Sequence, residues 1–153
     1  TMEEYKKLGL NRITLSRELN VEGINEILTT SDLDTELIVY GNLPIMATNY
    51  CFLGKTNSCY PDCGVNCNKD NTYYLKDRMG LRFRVIPDNI QTVSLICNSK
   101  TLSITTKDLP ITSVRIDMID ETIEQMNHVI ESAYNREKLE GNQYTNGNFY
   151  REV

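Results

Sequence analysis

Apolar positions follow two different periods along this chain. Val21, Ile24, Ile27 and Leu28 recur at helical spacing, directly after Asn20, a residue type whose side chain caps helix N-termini. The run Glu36-Leu37-Ile38-Val39-Tyr40 is instead nearly continuously apolar and is stopped by Gly41-Asn42. Continuous rather than alternating hydrophobicity suits a strand buried on both faces of a parallel sheet. Arg12 to Leu15 is a shorter β-prone run, and Met2 to Lys7 reads as the end of a helix closed near Gly9. Leu43 to Met46 is apolar but broken by Pro44, so a turn is expected there.

Between Asn49 and Asn71 periodicity vanishes, and Cys, Asn, Gly and Asp take over. Beyond this stretch, Thr72 to Leu75 and Leu81 to Ile86 are β-prone. The residues Lys76-Asp77-Arg78-Met79-Gly80 join them, with the glycine where a hairpin turn wants positive φ. Thr92 to Cys97 is a further strand, and Val114 to Asp117 a short one before the longest helix, expected from Asp120 to Leu139. Its stripe is formed by Ile123, Met126, Ile130, Ala133 and Tyr134, and Gly141 ends it. The tail holds Tyr144, Phe149 and Tyr150, rings that either pack back on the domain or stack on nucleobases. Strands alternating with helices, interrupted by a hairpin, predict an α/β fold.

A chain of 153 residues, 40% hydrophobic, is enough for one ordinary globular domain over 1–153. It starts within a helix and without a leading strand, so a fragment of a longer protein is expected. A net charge of -5 gives no global attraction to nucleic acid or an anionic membrane. Lys76, Arg78, Arg82 and Arg84 fall close together, either a local basic patch or a solvated hairpin face. No apolar run approaches the ~18 residues that span a bilayer, and the first residues lack a signal-peptide core. The expectation is a cytoplasmic protein with no membrane partner.

Four of the five cysteines crowd into the loop 49–71 as Cys51-x7-Cys59-x3-Cys63-x3-Cys67. A secreted disulfide scaffold spreads its cysteines over the chain, whereas crowding points to metal ligation in a reducing compartment. Four thiolates form a closed tetrahedral Zn²⁺ site or the ligand set of a [4Fe–4S] cluster, and spacing does not choose between them. Gly54, Pro61 and Gly64 supply turns that bring sulfur inward. Cys97, after Ile96 on an apolar strand, reads as a buried thiol that is also able to replace one of the four.

Several segments, in order, resemble peptidase family U32. They are Leu15-Ser16-Arg17-Glu18-Leu19, Glu36 to Met46 with the cysteine loop behind it, Tyr74 to Phe83, Asn98-Ser99-Lys100, and Tyr144 to Arg151. The resemblance implies the C-terminal part of a TIM-like barrel whose cysteines hold an iron–sulfur cluster. The expected fold is therefore α/β, a partial TIM-like barrel of parallel β/α units carrying a β-hairpin and a cysteine-rich loop insertion. Members are named as proteases, some as collagenases. Others are implied in oxygen-independent hydroxylation of RNA bases or of quinone precursors. The implied partners are a protein, peptide or RNA substrate, and either the missing barrel half or a second copy of the chain. A non-catalytic binding module pinned by zinc is a further reading. Two departures stand out. Thr92 occupies a position near which relatives place a cysteine, and Asp117-Met118-Ile119 lacks the glycine and arginine that relatives carry after this strand.

Arg17 and Glu18 follow the first strand, at the face where active sites lie in such barrels. They are candidates for anion binding or acid–base work, or else a pair that fixes the loop. His128 is the one histidine, mid-helix and away from any serine elbow, and reads as a surface residue rather than a triad base.

Overall fold

A computed structural model describes residues 2–54, 59, 67, 72–88, 90–91 and 93–151. The chain divides into two compact units, one of residues 1–42 and 100–153, the other of residues 43–99. The second is thus an insertion between two neighbouring strands of the first.

The first unit opens with α1 (Met2–Lys7), closed by Gly9 at φ 81, and β1 (Arg12–Thr14). Then comes α2 (Val21–Thr30), where Asn20 Oδ1 accepts from the Gly23 amide at 3.0 Å as the pattern predicts. The next strand, β2 (Asp34–Gly41), runs parallel to β1, with Ile13 opposite Thr35. This β1–α2–β2 segment is a genuine parallel β/α unit. After the insertion the chain returns as β7 (Thr101–Ser103), antiparallel to the end of β2, and then β8 (Ser113–Asp117), parallel to it. Residue Glu36 pairs with both Thr14 and Ser113, and Tyr40 with both Ser103 and Ile116. So β8 lines one edge of β2, while β1 and β7 share the other. A two-residue β9 (Tyr144–Thr145) adds to β7 in parallel.

The final helix, α3 (Ile123–Tyr134), is shorter than its apolar pattern predicts. Thr122 and Gln125 form a reciprocal capping box that starts it three residues late, and Asn135 ends it. The expected stripe is also displaced. Ile123, Ile130 and Tyr134 are 75%, 53% and 88% exposed, and Val129 is the buried residue, packed with Tyr40 and Leu139. After the helix, Arg136 takes a left-handed φ of 59, a conformation that costs about 1–2 kcal/mol outside glycine. Its carbonyl accepts from Thr105 Oγ1 at 2.7 Å, and its guanidinium donates to the Leu109 carbonyl at 3.2 Å. The aromatic tail packs back: Phe149 is buried, and its carbonyl accepts from Val21 N at the start of α2.

The second unit is an antiparallel sheet ordered β3-β6-β5-β4. Here β3 (Pro44–Thr48) stands where a turn was expected. Proline occupies its first residue, a position where no ladder hydrogen bond is lost, and a bulge lies between Pro44 and Met46. The predicted hairpin forms as β4 (Tyr73–Lys76) and β5 (Arg82–Asp88), with Gly80 at φ 86 in the turn. The last strand is β6 (Val93–Cys97), whose Cys97 is fully buried.

The molecule is therefore a mixed α/β protein of sheets and few helices, and no barrel is closed among the described residues. Nor, among them, is any helix long and apolar enough to cross a membrane. Packing on Ile24 rather than on the exposed α3 stripe carries the first unit. Ile24→Ala is expected to lower stability by about 2–5 kcal/mol, and Ile130→Ala to change it by less than about 0.5 kcal/mol. Urea unfolding of the two variants checks this, and equal losses would contradict the placement of α3.

Candidate functional site

Ligands of open parallel sheets bind outside the carboxyl ends of the strands. In the first unit those ends belong to β1, β2 and β8. The turn after β1 holds Ser16, Arg17 and Glu18, the last two exposed. Ser16 shapes it, its Oγ accepting from Glu18 N at 3.2 Å and its carbonyl from Leu19 N at 3.3 Å. Arg17 and Glu18 do not pair with each other, so the loop is held by the serine and not by the ion pair that was the alternative reading.

At the end of β2 the backbones of Gly41 and Asp117 touch. A Cβ on Gly41 would lie 2.9 Å from both Cβ and the carbonyl oxygen of Asp117, closer than any side chain tolerates. The next residue, Asn42, has its Oδ1 buried with no hydrogen-bond donor among the described residues. A buried amide oxygen left unpaired costs about 1–3 kcal/mol, so it is a ready acceptor for a ligand N–H or O–H.

The end of β8 is charged and tied down. Arg115 and Asp117 alternate along the strand and so share a face. They form a two-point ion pair, Nε to Oδ1 at 2.6 Å and Nη2 to Oδ2 at 3.2 Å. The hydrogen-bonded carboxylate holds the guanidinium still more firmly protonated. In the following loop Glu121 is a knot. Its Oε2 accepts from the amides of Ile119 and Asp120, while Oε1 accepts from the Tyr40 hydroxyl at 3.0 Å. Burial, and then the Glu121 carboxylate, push the Tyr40 phenol well above the usual tyrosine range.

The cysteine loop belongs to the second unit. Cys51 follows β3 and is exposed, and Tyr50 and Phe52 beside it make an edge-to-face ring pair at 5.2 Å. A turn returns Gly54 N to the Cys51 carbonyl at 3.3 Å, and Cys59 N donates to the Gly54 carbonyl at 2.7 Å. Glycine at 54 leaves open the space 3.9 Å from Cys51 Sγ, where a side chain would stand. Cys59 and Cys67 are half-buried, and no two of the described cysteines are joined in a disulfide. Cys63 lies outside the described residues, as does Pro61. Among the described residues no three His, Cys, Asp or Glu side chains gather to hold a metal. By residue type alone the loop offers donors suited to a thiophilic centre, the thiols of Cys51, Cys59 and Cys67 among the described residues, and the Cys51–Gly54 turn continues to Cys59 through the Gly54 carbonyl.

Arg17 and Glu18 thus fall in one unit and the cysteines in the other. His128 is exposed on α3. Sequence reasoning passed over Asn42, the Tyr40–Glu121 bond and the Arg115–Asp117 pair. Only the last had a legible signal, the i, i+2 spacing of opposite charges on a strand.

The model of peptidase family U32 matches residues 1–146, nearly the whole chain. The chain belongs to peptidase family U32. Within curated proteins, this U32 chain is similar to tRNA hydroxylation protein P of Escherichia coli and to its namesake of Haemophilus influenzae. Each is 36% identical over 70 residues. The match takes in 44% of the U32 chain but only 16% and 15% of the lengths of those two relatives. No solved structure matches it.

Tyr40→Phe deletes one bond to Glu121 and is expected to cost about 1 kcal/mol at neutral pH. The sign at alkaline pH follows from the raised phenol value. The unfolded phenol ionises near the ordinary pKa of about 10 while the folded one does not. Wild-type stability therefore falls as pH rises beyond that point, and the gap to Tyr40→Phe narrows. Chemical denaturation at a series of pH values checks this, and a constant gap would contradict it.

Proposed function

We propose that this chain is the part of a U32 protein that takes part in hydroxylating tRNA, with Cys51, Cys59, Cys63 and Cys67 as thiolate ligands of a [4Fe–4S] cluster. The observation that carries the reading is the 36% identity to two proteins named for tRNA hydroxylation, in a chain whose cysteines crowd into one loop. When bound, such a cluster supplies one-electron chemistry. Cys97, fully buried in β6, serves as packing in this reading. Membership of a peptidase family does not by itself argue for hydrolysis. The one histidine of the chain is exposed on a helix, a poor setting for a triad base.

In the same reading β1, β2 and β8 are adjacent parallel strands of a TIM-like barrel, completed by the rest of the longer protein or by a second copy of the chain. The strand ends then line the mouth of that barrel. Arg17 holds a phosphate there, Glu18 takes or returns a proton, and Asn42 Oδ1 accepts a hydrogen bond from the substrate. Gly41 keeps that mouth open at the point where β2 and β8 touch.

Deleting the parent protein from its cell is expected to remove a nucleoside heavier by one oxygen from digested tRNA, read by mass spectrometry. Wild-type protein restores it. Cys51→Ala or Cys63→Ala is expected to leave less than about a tenth of it, since even the partners behind a metal ligand are worth about tenfold or more. Unchanged tRNA after deletion would contradict the reading. Gelatin cleavage by the purified protein that survives loss of the cysteines would return it to proteolysis.

A further inference from the structure

Charge is divided unevenly between the two units. Residues 43–99 hold six Lys or Arg against four Asp and no Glu, while the remainder holds ten against seventeen. An acidic chain thus keeps a net basic insertion, and four of its six cations lie on or beside the β4–β5 hairpin.

Register sorts these residues by face. Tyr74 stands opposite Arg84, and Lys76 opposite Arg82. Cross-strand partners share a face, as do alternate residues of one strand, so Tyr74, Lys76, Arg82 and Arg84 lie together. The other face carries Tyr73, Leu75, Phe83 and the buried Val85. Two like charges placed directly opposite, Lys76 and Arg82, repel one another, and no described carboxylate pairs with either. The Arg82 guanidinium instead lies over the Tyr74 ring, 4.1 Å from its centroid, a cation–π contact on an exposed face. Asp77, the acidic residue of the turn, is engaged in shaping it: its Oδ1 accepts from Met79 N and Leu81 N, both at 2.8 Å. Arg78 and Met79 are exposed at the tip.

We infer that this face of the β4–β5 hairpin binds RNA as a single-stranded or looped segment. Phosphates sit on Lys76 and Arg82, and a base stacks beside Tyr74. Cations alternating with an exposed ring are the means by which single strands are held without sequence readout. The counter-charge of the polyanion also relieves the Lys76–Arg82 repulsion. The inference rests on the tRNA reading for its substrate class. It adds a surface that neither the cysteine loop nor the strand ends of the first unit provide.

The test is fluorescence anisotropy of the full chain with a fluorescein-labelled oligouridine, with whole tRNA as competitor, and circular dichroism to check folding. Lys76→Ala with Arg82→Ala is expected to weaken binding more than about tenfold at low salt. The slope of log affinity against log salt should fall by about 1.4, at roughly 0.7 per phosphate contact on a single strand. Tyr74→Ala is expected to lose about 5- to 150-fold, whereas Tyr74→Phe keeps the ring and binds like the wild type. Folded variants with wild-type affinity and slope would overturn the surface while leaving the tRNA reading intact. A wild-type chain that binds neither RNA also overturns it, and the nucleoside assay then judges the tRNA reading separately. Equal competition by an acidic peptide or by anionic vesicles would overturn RNA as the occupant.

Discussion

Tyr40 and Gly41 lie where β2 is hydrogen-bonded to β8 along one edge and to β7 along the other. Both residues are buried, so each backbone donor and acceptor there needs a protein partner. The double pairing provides them. It also sets where the insertion begins and ends, because the residues opposite Tyr40 and Gly41 are Ser103 and Leu102, just past its return. A long excursion adds little to the entropy of closing a loop once its ends are held together. The first unit thereby carries a second sheet while keeping its own buried residues, Ile24 and the cluster of Tyr40, Val129 and Leu139.

The chemistry follows from that division. The ends of β2 and β8 meet at Gly41 and Asp117, beside Asn42, whose buried Oδ1 has no donor among the described residues, while β1 ends opposite Glu36, earlier along β2. Glu121 holds the β8–α3 loop through two amides and the Tyr40 hydroxyl, so that loop is tied to β2. The insertion brings a different set: cysteines along one loop, and cations with an exposed tyrosine on one hairpin face.

Much of this was legible in the sequence where a local rule and the tertiary outcome agree. Asn20 before a helical pattern gave α2, and the continuous apolar run gave β2, the strand paired on both sides. Gly80 between two β-prone runs gave the hairpin. Pro44 misled, because proline excludes a central strand residue but not the first residue of an edge strand. In α3 the apolar residues are spaced for a helix, yet the helix turns Val129 inward and leaves Ile123, Ile130 and Tyr134 outside. The Thr122–Gln125 box, which sets its start, was readable and outweighed by the longer pattern. Strands β7 and β9 have three and two residues, too few for any period, and exist through pairing alone. The cysteine crowding is plain in the sequence, whereas the Asn42 oxygen, without a donor among the described residues, depends on neighbours that only folding brings.

X-ray absorption at the metal edge of protein isolated without oxygen tests the central claim, that thiolates of the insertion hold an iron–sulfur cluster. The expected spectrum is an iron edge whose first shell is sulfur, with a second shell of neighbouring iron. A shell of nitrogen or oxygen, or zinc in place of iron, would contradict it.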